Sequence, residues 1–289
     1  MEHGKRMIGM RRNVAALGWT LLALLPGAAR AQDVAGLKLD RIASLPREVL
    51  DSITARGKLL AEYDFASWYA TDAVLAAQPR SGLIEGYLAR QKPDGLWEVV
   101  FGKLSVRRDT FYVAFRALQR EAGSQLYTTY EMRPPAAEQG YFLLAARALY
   151  VTRDDFGPKT RPYTATVAQI AGNGEWYVYY IPGPRDNRVW LSGGDIRYRV
   201  SADGRTITEK RPLHNATNEF LAPPTKVDSS TLDASLATIV RDDRPEDTDV
   251  FQVLVRQPRI RGLFVSRSYY FVIDTTGRIM AYDRDTTKR

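Results

Sequence analysis

The sequence predicts an α+β protein, mostly antiparallel sheet with helical segments near the start and in the middle of the chain. Three observations predict it. Apolar residues recur at helical spacing from Leu45 to Ala77 and again from Ala136 to Thr152. Outside those stretches the apolar period falls to two. Turn signals punctuate the period-two runs at Lys92-Pro93-Asp94-Gly95, Ala171-Gly172-Asn173-Gly174, Ala202-Asp203-Gly204 and Thr275-Thr276-Gly277.

Residues 1–31 read as a secretory signal peptide. Lys5, Arg6, Arg11 and Arg12 give a basic start, Val14 to Leu25 is apolar or neutral, and Ala29-Arg30-Ala31 supplies a small-x-small cleavage pattern. The apolar run is shorter than the roughly 20 residues a membrane span needs. A periplasmic or secreted location follows as the expectation, with no transmembrane segment left after cleavage. Arg11-Arg12 leaves the general and twin-arginine export routes both open.

In the first helical run Val49, Ile53 and Leu60 share a face that Trp68 and Leu75 continue. Gly57 is expected to weaken its middle, Asp64 to cap a second segment, and Pro79, Ser81 and Gly82 to end it. Leu83–Arg90, Leu96–Leu104 and Thr110–Leu118 then read as an antiparallel meander, with a further strand at Gln125–Met132 that Pro134-Pro135 is expected to stop. Ala136–Thr152 reads as a buried helix and Asp154–Pro162 as loop. Tyr163–Ile170 and Glu175–Ile181 form a hairpin, Pro182-Gly183-Pro184 opens an irregular loop, and Ile196–Val200 pairs with Arg205–Lys210. Residues 212–233 read as loop, and Ala234–Arg241, Val250–Arg256, Phe264–Ile273 and Arg278–Tyr282 as strands. The segments Arg197–Ile207 and Tyr269–Ile279 share an order of aromatic, Val, polar turn, Gly-Arg and Ile, a candidate repeated hairpin. After the leader, residues 32–160 carry the helical segments and the meander, and residues 161–289 a β-rich half. That half is either separate or continuous with the preceding region.

Composition excludes more than it assigns. The formal net charge of the 289 residues is +8, and loss of residues 1–31 takes five basic residues and one acidic one, leaving +4. So small an excess does not predict a nucleic-acid partner. With no cysteine, the chain has no disulfide, thiolate metal site or cysteine nucleophile. It also lacks a G-x-S-x-G elbow, S-x-x-K, H-E-x-x-H and a Walker loop.

His214 is the only histidine left once the leader is gone. With Glu209, Glu219 and Asp195 as neighbouring carboxylates and Ser192 upstream, it is a candidate general base, although nothing in the spacing demands it and a loop histidine bonded to backbone is the simpler reading. Asp242, Asp243, Glu246, Asp247 and Asp249 form the densest acidic run. They suit calcium as oxygen ligands, yet the spacing is not that of an EF-hand, and a solvated turn is the simpler reading. No other cofactor is expected.

Trp176-Tyr177-Val178-Tyr179-Tyr180-Ile181 is rich on both faces of a strand, so it is either covered on both sides or presents aromatics to a ligand. Trp176, Tyr180, Trp190 and His214 make the candidate binding surface. The basic series Arg256, Arg259, Arg261 and Arg267 reads as a solvated turn or as an anion-binding edge.

Three stretches carry a resemblance: Trp176–Pro182, Gly193-Gly194-Asp195-Ile196-Arg197-Tyr198-Arg199-Val200 through Leu213-His214, and Pro245–Phe251. Over about the last two-fifths of the chain they resemble uncharacterised exported proteins of Gram-negative bacteria, a group without assigned activity. The resemblance implies a compartment and no reaction. The similar chains carry a His-Thr-His ahead of the acidic run, where this chain has Ala237-Thr238-Ile239, so a metal site built from those histidines is absent here. The expected function is an exported, non-catalytic protein that binds a cell-envelope polymer or a protein partner. The alternatives are an envelope hydrolase using carboxylates or His214, and a calcium-stabilised structural module.

Overall fold

A computed structural model of the chain describes residues 39–183, 189–221, 234–238 and 241–284. The expected signal peptide, the expected loop from Pro184 and the stretch 222–233 lie outside the described residues. The fold is α+β. Among the described residues there are three helices, and the sheets are antiparallel except for one parallel pair.

Helix α1 (Arg47–Ala76) starts after Pro46 and runs unbroken through Gly57 and Asp64. The expected weak point is a crossing point. A Cβ on Gly57 would stand 2.4 Å from Val250 Cβ and 2.6 Å from the Asp247 carbonyl oxygen, so only glycine lets the two helices meet there. Strands β1 (Gly86–Gln91), β2 (Trp97–Leu104), β3 (Phe111–Gln119) and β4 (Tyr127–Glu138) form the predicted meander in that order. Pro134-Pro135 does not stop β4. The prolines sit on the outer edge of the sheet, inside a register shift opposite Val113 to Phe115, where no ladder donor is needed. Helix α2 (Tyr141–Phe156) therefore begins five residues later than expected.

Strands β5 (Tyr163–Gln169), β6 (Trp176–Pro182), β8 (Ile196–Val200) and β9 (Ile207–Pro212) make a second antiparallel sheet. Strand β7 (Val189–Gly193) pairs with β10 (Thr217–Leu221), so the stretch read as loop contains a strand. In the third sheet β11 (Ala234–Thr238) runs parallel to β12 (Arg261–Val265), which continues into β13 (Tyr269–Ile273) and β14 (Ile279–Asp283). The run read as one strand, Phe264–Ile273, is thus a hairpin that turns at Ser266, where the Ser266 N–H donates to the Tyr269 carbonyl. Val250–Arg256 is not a strand. It lies in helix α3 (Asp247–Val255), which a capping box between Glu246 and Asp249 starts.

The layers explain the apolar runs. One face of the meander (Val99, Phe101, Phe115) packs on the second half of α1. Its other face (Leu88, Val100, Val113) packs on α2, which in turn covers Trp176, Val178 and Tyr180 of β6. The opposite face of β6, through Tyr179 and Ile181, meets the first half of α1 and α3. The aromatic strand is rich on both faces because both are covered. The core joining α2 to the meander and to the second sheet crosses residue 160. Among the described residues no helix is long and apolar enough to cross a membrane.

Candidate functional site

The site grows from a row of cations on one face of the second sheet. Strand alternation sends Tyr198 and Val200 into the α2 core and turns Arg197 to the other side, level with Tyr179 on β6 and Arg211 on β9. The α1–α3 crossing brings Arg56 and the first turn of α3 against that row.

Asp247 is fully buried and accepts three hydrogen bonds, each of 2.8 Å, from Arg56 Nε, Arg197 Nη1 and the Tyr179 hydroxyl. Burial, reinforced by the Asp247 charge, pushes the Tyr179 phenol well above its ordinary pKa, so it stays a donor. Glu246, one residue earlier, accepts from Arg211 at both carboxylate oxygens, at 2.5 and 3.2 Å. Burial raises the Glu246 pKa to about 7, against the pull of Arg211. Arg211 also pairs with Asp242.

His214 lies behind this group. Its Nδ1 is 2.6 Å from Asp195 Oδ1 and its Nε2 3.2 Å from Asp249 Oδ1. Asp195 gets there through Gly193-Gly194, both at positive φ; a Cβ on Gly194 would lie 1.8 Å from Thr217 Oγ1. Burial alone would lower the His214 pKa. The hydrogen bonds and charges of the two aspartates outweigh it and raise the value to about 11. The ring is an imidazolium at neutral pH, with both nitrogens engaged.

This geometry sorts the candidate residues. His214 has no free lone pair, so it is not a general base in this arrangement. Its partners are Asp195 and Asp249. Glu209 is exposed on β9 opposite Arg199, and Glu219 on β10 pairs with Arg161. Ser192 is buried on β7 opposite Asn218. The five residues of the acidic run point to different partners: Asp242 and Glu246 to Arg211, Asp247 to Arg56 and Arg197, Asp249 to His214 and its own helix cap, and Asp243 to the Ser268 N–H. Among the described residues no three His, Asp or Glu side chains converge as metal ligands do.

Nor do the four proposed binding residues form one surface. Trp176 is fully buried and donates its indole N–H to the Ala202 carbonyl. Tyr180 is buried against Phe156. Trp190 lies elsewhere, its ring under the Arg256 guanidinium at 5.1 Å. Of the basic series, Arg256 is buried, while Arg259, Arg261 and Arg267 are exposed.

In front of the buried carboxylates a cavity of about 350 Å³ opens between α1, the second sheet and the start of α3. Arg56, Arg197, Arg211, Arg244, Glu48 and Glu246 line it. Arg244 is exposed and makes no ion pair among the described residues. No protein-family model, curated protein or solved structure matches this chain.

The residues that sequence reasoning missed are the arginines. Arg197 and Arg199 alternate with Ile196, Tyr198 and Val200 on a strand, and an arginine facing inward on a half-buried strand signals a buried acceptor. Glu246 and Asp249 close a capping box at the start of α3, but Glu-x-x-Asp is not the sequence pattern that signals one.

Proposed function

We propose that the chain is an exported, non-catalytic binding protein whose arginine cavity takes a carboxylate or phosphate group of a cell-envelope component. The observation that carries this reading is a set of guanidiniums fixed from behind and open in front. Asp247 and Glu246 hold Arg56, Arg197 and Arg211 in place. A guanidinium has five N–H donors, and these contacts use only some of them. Donors held in place before binding lose little freedom when an anion arrives, and forked donors match carboxylate and phosphate oxygens. A periplasmic or secreted location would put such a cavity among anionic envelope polymers.

Cations and carboxylates nearly balance around the cavity, so affinity depends on the charge of Glu246. Protonation near pH 7 removes one negative charge from the wall. Anion binding is expected to strengthen as the pH falls through that value.

One observation favours an envelope hydrolase. Glu246 lines the cavity and ionises near pH 7, as a general acid must. Against it, both oxygens of that carboxylate face Arg211. A thermal-shift screen with sulfate, citrate and cell-wall muropeptides tests the binding reading, with Arg244→Ala as the control. The expected result is stabilisation by an anion that Arg244→Ala weakens about tenfold in affinity without lowering the ligand-free Tm, since an exposed surface substitution changes stability by about 0.5 kcal/mol at most. Absence of any shift, or a shift unchanged in the variant, rejects this cavity as the site. Turnover of a muropeptide lost in Glu246→Gln establishes the hydrolase instead.

A further inference from the structure

A second cavity, of about 510 Å³, opens at the other end of α1. Its volume falls within the range of roughly 300–1,000 Å³ usual for small-molecule sites. None of the arginines of the first cavity reaches it. Its chemistry is different: rings and amides replace guanidiniums. Phe65 and Tyr69 of α1, Trp97 of β2 and Tyr127 of β4 supply the rings. Gln91, Gln119, Gln125 and Gln257 supply the amides, and the only charged side chains in the lining are Glu62 and Arg259, one of each sign.

Three features point to a ligand that is neutral, hydroxylated and flat-faced. The first is a stack of rings. Phe65 and Tyr69 lie nearly parallel with centroids 6.5 Å apart, and Trp68 lies nearly parallel to Tyr69 at 6.1 Å while 60% exposed. Such a ladder continues the aromatic wall of the cavity out along α1, and apolar sugar faces stack on rings of this kind. The second is fixed amide geometry. Gln119 accepts from the Trp97 N–H at 3.1 Å and donates to the Ser124 carbonyl at 2.8 Å, which sets its remaining amide positions. The third is an unmet need. The Tyr127 side chain is 7% exposed, and its hydroxyl finds no hydrogen-bond partner among the described residues. A buried hydroxyl without a partner is costly, and a ligand hydroxyl would satisfy it.

We propose that this cavity, walled by Phe65, Tyr69, Trp97 and Tyr127, is a binding site for a neutral pyranose oligosaccharide. The sugar's C–H faces stack on the rings, and its hydroxyls bond to the amides and to Tyr127. The near-neutral wall selects against acidic glycans, which the first cavity would favour.

Calorimetric titration of the full chain tests the site, using triacetylchitotriose and cellotriose as neutral probes and trigalacturonate as the acidic one. Saturable binding of at least one neutral trisaccharide is expected, with trigalacturonate at least tenfold weaker in the Arg244→Ala variant, where the first cavity is weakened. Trp68→Ala and Tyr127→Phe are each expected to weaken that binding several-fold. Trp68 is exposed, so Trp68→Ala is expected to keep the wild-type Tm, and Tyr127→Phe, which removes a costly unbonded hydroxyl, is expected to keep or raise it. The proposal is overturned if no neutral trisaccharide binds at millimolar concentration, if trigalacturonate binds the Arg244→Ala variant as tightly as the neutral probes do, or if folded Trp68→Ala and Tyr127→Phe bind as the wild type does. Because the first cavity shares no lining residue with this one, Arg244→Ala should leave the trisaccharide affinity unchanged.

Discussion

Asp247 shows how much one residue organises here. A buried carboxylate with three donors is stable only while all of them are present. Asp247→Ala strands Arg56, Arg197 and a buried phenol, and urea unfolding should register a loss of about 3–5 kcal/mol. His214 gives a pH signature. Its folded pKa, about 11, lies above its ordinary 6.5. The stability it contributes is complete below 6.5 and is lost as the pH rises toward 11. Glu246 acts in the same direction lower on the scale, because its raised pKa of about 7 favours folding while it is protonated. Stability should therefore fall from mildly acidic to alkaline pH, and His214→Gln should flatten the alkaline part of that fall in denaturation midpoints measured across the range.

At the scale of elements, the α1–α3 crossing is the contact on which the cation row depends. Alanine is the better helix former by about 1 kcal/mol. At Gly57 the clash with Val250 and the Asp247 carbonyl outweighs that gain, since overpacking costs about 1–3 kcal/mol and often more where backbone is hit. Gly57→Ala should lower the Tm and loosen the cavity, whereas alanine in place of an exposed α1 residue should do neither. The two similar hairpins share a detail as well. In each, the turn glycine N–H, of Gly204 or Gly277, bonds to the carbonyl three residues earlier and lies against a helix, α2 for Gly204 and α3 for Gly277.

The elements also show what was legible in advance. The meander, the first two helices and the hairpins at Gly172-Asn173-Gly174 and Asp203-Gly204 followed from period and turn chemistry. Helix α3 did not, because six residues of mostly β-branched and aromatic character fit a buried strand or a buried helix equally well, and only the Glu246–Asp249 cap decides between them. Strands β7 and β10 are five residues each, too short for an alternating period to stand out. The site was half legible. His214, Asp195, Glu246, Asp247 and Asp249 were named, but as a base and as calcium ligands. The arginine partners of Glu246 and Asp247 come from residues 35 to 191 positions away, a distance no local pattern spans.

Across the whole molecule, the buried charges are matched internally, Asp247 to Arg56 and Arg197, and Glu246 to Arg211. The first half of α1, the second sheet and α3 enclose the network, and the second half of α1 carries the aromatic cavity on the meander. One long helix thus bears two cavities of different chemistry, one lined by guanidiniums and one by rings and amides. The most direct test of the central claim is the affinity for sulfate, whose charge stays constant between about pH 6 and about pH 8, measured calorimetrically at both. Saturable binding is expected, tighter at the lower pH and without that pH dependence in Glu246→Gln. No binding at either pH, or equal binding at both in the wild type, would contradict it.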